Sequence, residues 1–344
     1  AGDQPLLEYV RHCAGLLVGV LSGRVSPLET LFPDGSFNVA VRLYHESSLL
    51  RYVNGIGAAA LEKFVAERPV DAPVRVLEIG AGTGGTTGFL AGVLPEDRSD
   101  YLYTDVSDIF LDFAAERFSE IPFLRTGLFD LEKEPAEQGI AEGAWDVVVA
   151  ANVIHAARNI REAVDRARRL LAPGGMLLLV ESTGHHPWHD ITTGLIEGWQ
   201  HFEDDLRTDT PLLTPDVWVD LLRSAGFAAA ATLPKPSSPA NVLKQHLVLA
   251  RVEGSAPTAQ ILTPLEQTSE RQASVAVKTP ESAAPAEAPS HSAVMTAILD
   301  APEADREELA IAEIRDAVIA VLRLEVDRPP ARDACDRLAG EGRP

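Results

Sequence analysis

The chain is poor in cysteine, in basic residues and in long apolar runs, and each shortage excludes a class of protein. Its two cysteines, Cys13 and Cys335, are too far apart for a disulfide framework or a metal-ligand motif, so we expect a reducing, cytoplasmic setting. Thirty basic against fifty-one acidic side chains give a net charge of −21, which leaves no excess of cations to hold nucleic acid. The apolar runs are strand-sized, and no basic leader opens the sequence. We expect neither nucleic acid nor a membrane as a partner.

Composition divides the 344 residues into four predicted parts. Helical spacing over residues 1–70 predicts a helical lid, and alternating strand and helix patterns over residues 71–252 predict an α/β core. Residues 253–300 are rich in Ala, Pro, Ser and Thr and predict a linker. Residues 301–344 hold one predicted helix, at 308–324, which is too little to bury a core alone. Residues 301–344 therefore resemble the beginning of an incomplete domain.

Short apolar runs in the second part predict a sheet. They span residues 74–80, 101–106, 123–131, 145–153, 175–182, 228–235 and 242–252. Helical spacing between the earlier runs predicts parallel strands joined by crossover helices. The segment between the last two runs is too short for a crossover, so these strands are predicted to pair antiparallel. We therefore predict a doubly wound, seven-stranded sheet that ends in a hairpin.

A glycine-rich segment, Glu78-Ile-Gly-Ala-Gly-Thr-Gly-Gly, lies between the first predicted strand and a helix. Glycine lets the backbone approach a ligand that a Cβ would exclude, so Gly80, Gly82 and Gly84 predict a nucleotide-like cofactor. Together with Gly85, the segment also satisfies the dinucleotide pattern of nicotinamide and flavin enzymes. A tight turn without a ligand is the third interpretation.

Three acidic residues bear on which cofactor binds. Asp105 ends the second strand, where a carboxylate can accept both hydroxyls of a ribose, although it could also cap the next helix. Asp130 ends the third strand, where it could accept a hydrogen bond from an adenine amino group while Leu131 covers the ring. Glu78 would repel a pyrophosphate but suits a cofactor with a cationic amino acid end. S-adenosylmethionine has that end and is the predicted cofactor.

Several segments, in unbroken order, resemble the methyltransferase domains of modular polyketide synthases. Those domains belong to the class I S-adenosylmethionine-dependent methyltransferases. The segments are residues 74–87, Tyr103-Thr-Asp-Val-Ser, Gln138-Gly, Ala150-Ala-Asn-Val-Ile-His-Ala, Leu171-Ala-Pro-Gly-Gly and Gly194-Leu-Ile-Glu-Gly-Trp, with Leu43-Tyr-His-Glu-Ser and Tyr52-Val-Asn-Gly in the lid. The resemblance runs from about residue 7 to residue 252. It implies a Rossmann-like class I fold with a lid. The implied partners are an acyl carrier protein with a phosphopantetheine-linked acyl chain and other domains of the same synthase.

The tail, from the predicted helix at 308–324 to Arg-Leu-Ala-Gly-Glu-Gly, resembles the opening of an acyl carrier protein. No serine follows Ser292, so the phosphopantetheine attachment site of that family is absent from this sequence. We therefore interpret residues 301–344 as a truncated carrier start.

Two residues form the predicted catalytic pair. His155 follows the fourth strand and Glu181 closes the fifth, and these strands are neighbours in a doubly wound sheet, so both side chains should emerge at one edge. Glu181 would then hold one imidazole nitrogen and make the other more basic. The resemblance carries a His–Glu dyad onto the same positions, although a structural histidine at a helix start has the same appearance. Asn152 is predicted to orient the methionine end of the cofactor or a substrate carbonyl, unless it is only a turn residue.

Substrate-binding and metal-binding residues are less clearly marked. Tyr52, Asn54 and Trp199 are the candidates for contact with an acyl chain, and Trp199 would form an aromatic wall. One loop contains His185, His186 and His189, which suggests a metal site. No further His or Cys stands at ligand spacing, and the resembled family needs no metal, so we predict none.

The predicted function is O-methylation of the β-hydroxyl of a carrier-tethered acyl chain, with the His–Glu pair as base. Two features favour oxygen: the core runs directly into a carrier start, and Gly198-Trp-Gln departs from the Gly-Trp-Trp associated with carbon methylation in the resembled family. The alternative is C-methylation of the α-carbon of a β-ketoacyl thioester. A nicotinamide-dependent reductase and an inactive structural domain are the remaining alternatives.

Overall fold

The computed structural model describes residues 3–254, which begin with helices and continue into a sheet. Helix α1 (Gln4–Leu21) is capped at its N-terminus by Asp3, whose side chain accepts a hydrogen bond from the Leu6 backbone N. Helix α2 (Asn38–Val41), a π-helical turn (Arg42–Glu46) and helix α3 (Ser48–Ala66) follow. Within residues 3–254, none of the helices has the length and apolar character needed to cross a membrane. The predicted carrier start, and all but the first two residues of the predicted linker, lie outside the described residues.

Seven strands form one sheet, as the sequence predicts. They are β1 (Val74–Ile79), β2 (Ser99–Asp105), β3 (Leu124–Leu128), β4 (Trp145–Ala151), β5 (Leu171–Ser182), β6 (Ala229–Leu233) and β7 (Gln245–Arg251). The strand order is β3-β2-β1-β4-β5-β7-β6. The first five strands are parallel, whereas β7 is antiparallel to both β5 and β6. The terminal hairpin is thus confirmed.

Helices cover both faces of the sheet because side chains alternate along each strand. The remaining helices are α4 (Thr87–Ala91), α5 (Asp108–Arg117), α6 (Ile160–Leu170) and α7 (Pro215–Ser224). On one face, Leu177 of β5 joins the buried cluster that contains residues of α6 and α7. On the other face, Leu178 joins a cluster with residues of α3, α4 and α5. The doubly wound arrangement follows from this alternation.

Part of the predicted lid belongs to the core. Leu61 and Phe64 of α3 are buried in the same cluster as Val76 of β1, so α3 is a helix of the sheet rather than of a separate lid. The segments before α3 form their own small cluster, which includes Tyr9 and Leu43. The predicted boundary at residue 70 therefore separates α3 from the strands against which it packs.

Strand ends differ from the prediction where local hydrogen bonds intervene. The third strand ends at Leu128, because residues after it turn around Gln138, whose Oε1 accepts a hydrogen bond from the Asp130 N at 2.8 Å. The last strand begins at Gln245, because Pro239–Leu243 forms a 3₁₀ turn in which Ser238 caps the first residues. The fourth strand ends at Ala151, because Asn152 has a φ of +54°.

Candidate active site

Two cavities lie at the edge where the parallel strands end. The glycine-loop cavity, of about 190 Å³, is lined by residues 80–83, 85 and 86 of the loop after β1 and by Asn54 of α3, among others. The His155 cavity, of about 280 Å³, is lined by His155 and by side chains of the segment that follows β5. Leu31, Tyr44, Leu50 and Asn152 line both cavities, so the two spaces adjoin.

The loop after β1 has a conformation that requires glycine. Gly80, Gly82 and Gly84 have φ values of +61°, +58° and +74°. A Cβ on Gly80 would lie 2.7 Å from the Val153 side chain, whereas a Cβ on Gly82 would enter open space. Gly82 lines the cavity, so its lack of a side chain leaves room for a ligand beside the backbone. Gly84 does not line the cavity, and a Cβ there would meet the Phe118 ring.

Asp105 supports this loop from the end of β2. One carboxylate oxygen accepts from the Gly82 N at 3.0 Å and the other from the Ser107 N at 3.1 Å. Asp105 is buried and is not among the residues that line the cavity, and burial raises the pKa of its carboxyl group. The carboxylate thus ties the glycine loop to the start of α5.

Glu78 lies buried in β1, two residues before Gly80. Its Oε2 accepts from the Thr87 hydroxyl at 2.5 Å and from the Tyr101 hydroxyl at 2.7 Å, whereas its buried Oε1 has no hydrogen-bond partner among the residues that the structure describes. Burial raises the pKa of Glu78 to about 7. A cationic group bound nearby would favour the charged carboxylate, so a cofactor with an ammonium group suits this position.

Asp130 and Leu131 stand apart from the glycine-loop cavity. The Asp130 carboxylate accepts from the Glu132 N at 2.9 Å and lies 3.0 Å from the Lys133 Nζ. Leu131 is buried in the core cluster on one face of the sheet. Neither residue is among those that line the cavity, because β3 ends at Leu128 and the chain then turns. The predicted contact of Asp130 and Leu131 with adenine stays a prediction.

His155 and Glu181 meet as the topology predicts. The pairing of β4 with β5 brings their ends together, and His155 Nδ1 lies 2.6 Å from Glu181 Oε2. The other carboxylate oxygen, Oε1, accepts from the Ile154 N at 3.2 Å, and Glu181 is 0% exposed. A carboxylate partner requires a hydrogen on Nδ1, so in the neutral ring Nε2 carries the lone pair. No hydrogen bond within residues 3–254 uses this Nε2, which is therefore free to accept a proton.

In two of the three neighbouring histidines, His185 and His186, a ring nitrogen has a partner outside the group of three. His185 Nε2 lies 2.8 Å from the Asp190 carboxylate, and His186 Nε2 lies 3.0 Å from the Leu243 carbonyl oxygen. The His186 ring also stacks on Trp188, with ring centroids 3.9 Å apart. In the part of the chain that the structure describes, no group of three or more His, Cys, Asp or Glu could hold a metal ion.

Comparison with known proteins identifies the family. Residues 77–177 match a family described as a methyltransferase domain. The chain is 36% identical over 258 residues to the polyketide synthase PksR of Bacillus subtilis, an alignment that covers 72% of this chain and 10% of that protein. It is also 36% identical over 244 residues to the polyketide synthase ThaQ of Burkholderia thailandensis, covering 68% and 12%. The chain thus spans about a tenth of the length of these curated relatives.

Solved structures agree with this result. The CurJ carbon methyltransferase is 36% identical, with a TM-score of 0.70, and the match covers 73% of this chain and 67% of that one. The chain belongs to the methyltransferase domains of polyketide synthases. The trans-methyltransferase CalH, in complex with SAH, is 32% identical, with a TM-score of 0.58 and coverage of 72% and 68%. The citrinin polyketide synthase CMeT domain is 29% identical, with a TM-score of 0.65 and coverage of 72% and 65%. The domain is therefore an S-adenosylmethionine-dependent methyltransferase, which confirms the predicted fold, enzyme class and cofactor.

Features of this methyltransferase domain fit its cofactor. The open space beside Gly82, which a side chain would fill, leaves room for a ligand. Among the described residues the Oε1 of Glu78 has no hydrogen-bond partner, which suits a ligand with an ammonium group. The cofactor-binding residues we propose are the glycine loop, Glu78 and Asp105.

Asn152 stands at the junction of the two cavities. Its carboxamide oxygen accepts from the Ser182 N at 3.2 Å and from the Gln245 Nε2 at 3.2 Å. No hydrogen bond among the described residues uses its Nδ2 group, so the amide nitrogen is the end that can donate to a ligand. Sequence reasoning named Asn152 but gave no sign of Gln245, which lies on β7.

The three predicted substrate-binding residues of the methyltransferase domain occupy different places. Trp199 lines the His155 cavity, and its ring centroid lies 5.5 Å from that of His155. Asn54 lines the glycine-loop cavity, where its Oδ1 accepts from the Thr86 hydroxyl at 3.0 Å. Tyr52 lines neither cavity and packs against the core. Leu50 and Asn54, which are four residues apart and so share one side of α3, occupy the side that faces the cavities.

Arg207 and Asp204 support the turn that carries His155, and sequence reasoning missed them. The Arg207 side chain is 0% exposed, and it donates to the His155 carbonyl oxygen at 2.7 Å and to the Ala157 carbonyl oxygen at 2.6 Å. The Asp204 carboxylate accepts from Arg207 Nε at 2.9 Å and from the Ile160 N at 3.0 Å. The two residues stand in an acidic stretch that has the composition of an ordinary surface, so no sequence signal marked them.

Proposed function

We propose that this domain methylates the α-carbon of a β-ketoacyl thioester carried by an acyl carrier protein, with His155 as the base. The observation that carries the proposal is the 2.6 Å contact between His155 Nδ1 and Glu181, which leaves Nε2 free in a cavity that adjoins the glycine-loop cavity. A base must reach the acceptor beside the cofactor, and this arrangement provides one.

Base strength favours carbon over oxygen. The α-hydrogen of a β-ketoacyl thioester lies between two carbonyl groups and is far more acidic than an aliphatic hydroxyl, so an imidazole is better matched to it. Three of the similar solved structures support the same choice, since CurJ and DszA are described as carbon methyltransferases and the citrinin synthase domain as a CMeT domain.

Methylation of a β-hydroxyl is the second candidate. The observation that favours it is Gly198-Trp-Gln, which departs from the Gly-Trp-Trp associated with the carbon branch. Gln200 is exposed and is not among the residues that line either cavity, so this departure lies away from the proposed acceptor. A His–Glu base can serve either acceptor.

The residues have distinct roles in the proposed reaction. S-adenosylmethionine, when bound, supplies an electrophilic methyl group. His155 Nε2 removes the acceptor proton, and Glu181 stabilises the imidazolium that results. Asn152, at the junction of the cavities, donates to the methionine end of the cofactor or to the substrate carbonyl. Arg207 and Asp204 hold the backbone turn on which His155 stands.

The proposed partners are a carrier protein that presents the acyl chain through phosphopantetheine and other domains of the same synthase. The much longer polyketide synthases that match this chain support that proposal.

A labelled methyl group tests the proposal. The domain is incubated with S-adenosylmethionine that carries a deuterated methyl group and with β-ketoacyl or β-hydroxyacyl pantetheine thioesters, and fragmentation in a mass spectrometer locates the label. We expect the label on the α-carbon of the β-ketoacyl thioester. A label on the β-oxygen of the hydroxyacyl thioester, with none on carbon, would replace this proposal with the second candidate.

A further inference from the structure

His189 lies in the same cavity as the proposed base and has no role in the reaction described so far. It belongs to the 3₁₀ turn Pro187–Ile191, is 8% exposed and lines the His155 cavity. Its ring centroid lies 5.5 Å from that of Trp199, and the His155 ring centroid also lies 5.5 Å from Trp199. Two imidazoles therefore pack against one indole.

The hydrogen bonding of His189 fixes which ring nitrogen carries hydrogen. The backbone N of His186 donates to His189 Nδ1 at 3.3 Å, so Nδ1 is an acceptor and bears no hydrogen. The neutral ring must then carry its hydrogen on Nε2. Burial lowers the pKa of His189 to about 3, so the ring stays neutral near pH 7. No hydrogen bond within the described residues uses this Nε2–H.

His189 and His155 thus have opposite tautomers. His155 donates from Nδ1 to Glu181 and has a lone pair on Nε2, whereas His189 accepts at Nδ1 and has a hydrogen on Nε2. One cavity therefore contains a base and a neutral hydrogen-bond donor. Both groups favour removal of a proton next to a carbonyl group, because negative charge appears on the carbonyl oxygen as the proton leaves.

We propose that His189 donates a hydrogen bond from Nε2 to the β-keto oxygen of the acyl thioester and stabilises the enolate. This inference rests on the proposed function. When the α-carbon–hydrogen bond breaks, the proton goes to His155 Nε2, and the electron pair of that bond delocalises onto the β-keto oxygen. His189 transfers no proton, and its neutral ring donates to the oxygen as charge develops there.

Deuterium uptake at the α-carbon tests this role in the absence of S-adenosylmethionine. The β-ketoacyl pantetheine thioester is incubated in deuterium oxide with wild-type protein, His189→Phe or His189→Gln, and the uncatalysed exchange is subtracted. His189→Phe keeps a ring against Trp199 and removes the donor, whereas His189→Gln keeps an N–H donor. His201→Phe is the control, because His201 is exposed in the same segment and lines neither cavity.

At saturating thioester, we expect His189→Phe to lower the exchange rate by about 100-fold to 1000-fold, as loss of an oxyanion donor does elsewhere. His189→Gln should recover part of this loss, and His201→Phe should exchange as the wild type does. Calorimetric binding of S-adenosylmethionine verifies that each variant is folded. If His189→Phe fails that check, His189→Leu replaces it.

Exchange by folded His189→Phe within twofold of the wild type would overturn the inference. So would a loss that appears only as a higher KM, because His189 would then contact the substrate without stabilising the enolate. Absence of catalysed exchange in the wild type, with methylation of the β-hydroxyl, would overturn the proposed function and this role with it. Wild-type exchange that survives the substitution would overturn the His189 inference alone.

Discussion

The two adjoining cavities are built in different ways. The glycine-loop cavity is centred on a short segment after β1, where backbone conformation and the absence of side chains shape the space. The His155 cavity is built from side chains that come from the lid, the end of β4, the segment after β5 and the start of β7. The proposed cofactor binding therefore depends on local backbone geometry, whereas the proposed acceptor chemistry depends on contacts between distant segments.

The ionisable groups near the two cavities also differ: those near the glycine loop are buried carboxyl groups, and those around the His155 cavity form pairs of opposite type. Glu78 and Asp105 near the glycine loop are buried, and burial raises the pKa of each. Around the other cavity, His155 pairs with Glu181 and Arg207 pairs with Asp204. We expect substitutions at the first pair to change cofactor binding or stability, and substitutions at the second set to change turnover.

The largest expected effect separates turnover from binding. His155→Ala should lower the turnover number by about two to four orders of magnitude, because general base catalysis typically contributes that much. Its affinity for S-adenosylmethionine, measured by calorimetry, should stay within about twofold of the wild type, since His155 does not line the glycine-loop cavity. An equal loss of affinity and turnover would show that the two cavities are not separable.

The second effect concerns stability near the glycine loop. Burial raises the pKa of Glu78 from 4.5 to about 7, so the folded state binds this proton more tightly than the unfolded state does. Stability therefore falls as the pH rises through that interval. Without cofactor at pH 8, Glu78→Gln should unfold with a free energy on the order of 3 kcal/mol higher than the wild type, measured by urea titration.

The control for Glu78→Gln is the same comparison of unfolding free energies at lower pH. The advantage of the variant should shrink toward zero as the pH falls to about 4.5, because the carboxyl group is then protonated in the folded state. An advantage that is the same at pH 5 and pH 8 would contradict the assignment to ionisation of Glu78.

A third variant tests the support of the glycine loop. Asp105→Ala removes a carboxylate that accepts from the Gly82 N and is proposed to bind ribose hydroxyls, so the dissociation constant for S-adenosylmethionine should rise about 30-fold. Asp108→Ala, at the exposed start of α5, is the matched control and should bind as the wild type does. Unchanged affinity in a folded Asp105→Ala variant would remove Asp105 from the cofactor site.

The smallest effect concerns the turn that carries His155. Arg207→Lys keeps the charge beside Asp204, but a single ammonium group cannot donate to the His155 and Ala157 carbonyl oxygens as the guanidinium does. We expect kcat to fall about tenfold through misplacement of the base, with cofactor affinity unchanged. Arg161→Lys, in an exposed pair with Asp205, should have no effect on kcat. Equal kcat values for the two variants would exclude a positioning role for Arg207.

Much of the fold and the contact between His155 and Glu181 could be predicted from sequence, because hydrophobic periodicity marks the strands and the topology fixes where their ends meet. Alternating strand and helix patterns predict parallel strands whose carboxyl ends share an edge, and they therefore predict the contact between His155 and Glu181 that the structure contains. The glycine loop was predictable because backbone positions with positive φ values favour glycine, which is visible in the sequence.

The remaining features depend on contacts that leave no local pattern. Arg207 reaches the His155 turn from about fifty residues further along the chain, within a stretch that has surface composition. Tyr52 lines neither cavity because one residue more or less on a helix changes the face it occupies, and its contact with substrate stays a prediction. Asp130 was placed at a strand end, but a turn held by Gln138 ends the strand earlier.

The central claim is that proton removal belongs to the His155 cavity and methyl supply to the glycine-loop cavity. Its most direct test measures deuterium uptake at the α-carbon of a β-ketoacyl pantetheine thioester, without cofactor, in three proteins. We predict catalysed exchange by the wild type and by Asp105→Ala, and none above the uncatalysed rate by His155→Ala. Exchange by His155→Ala at the wild-type rate, or its loss in folded Asp105→Ala, would contradict the claim.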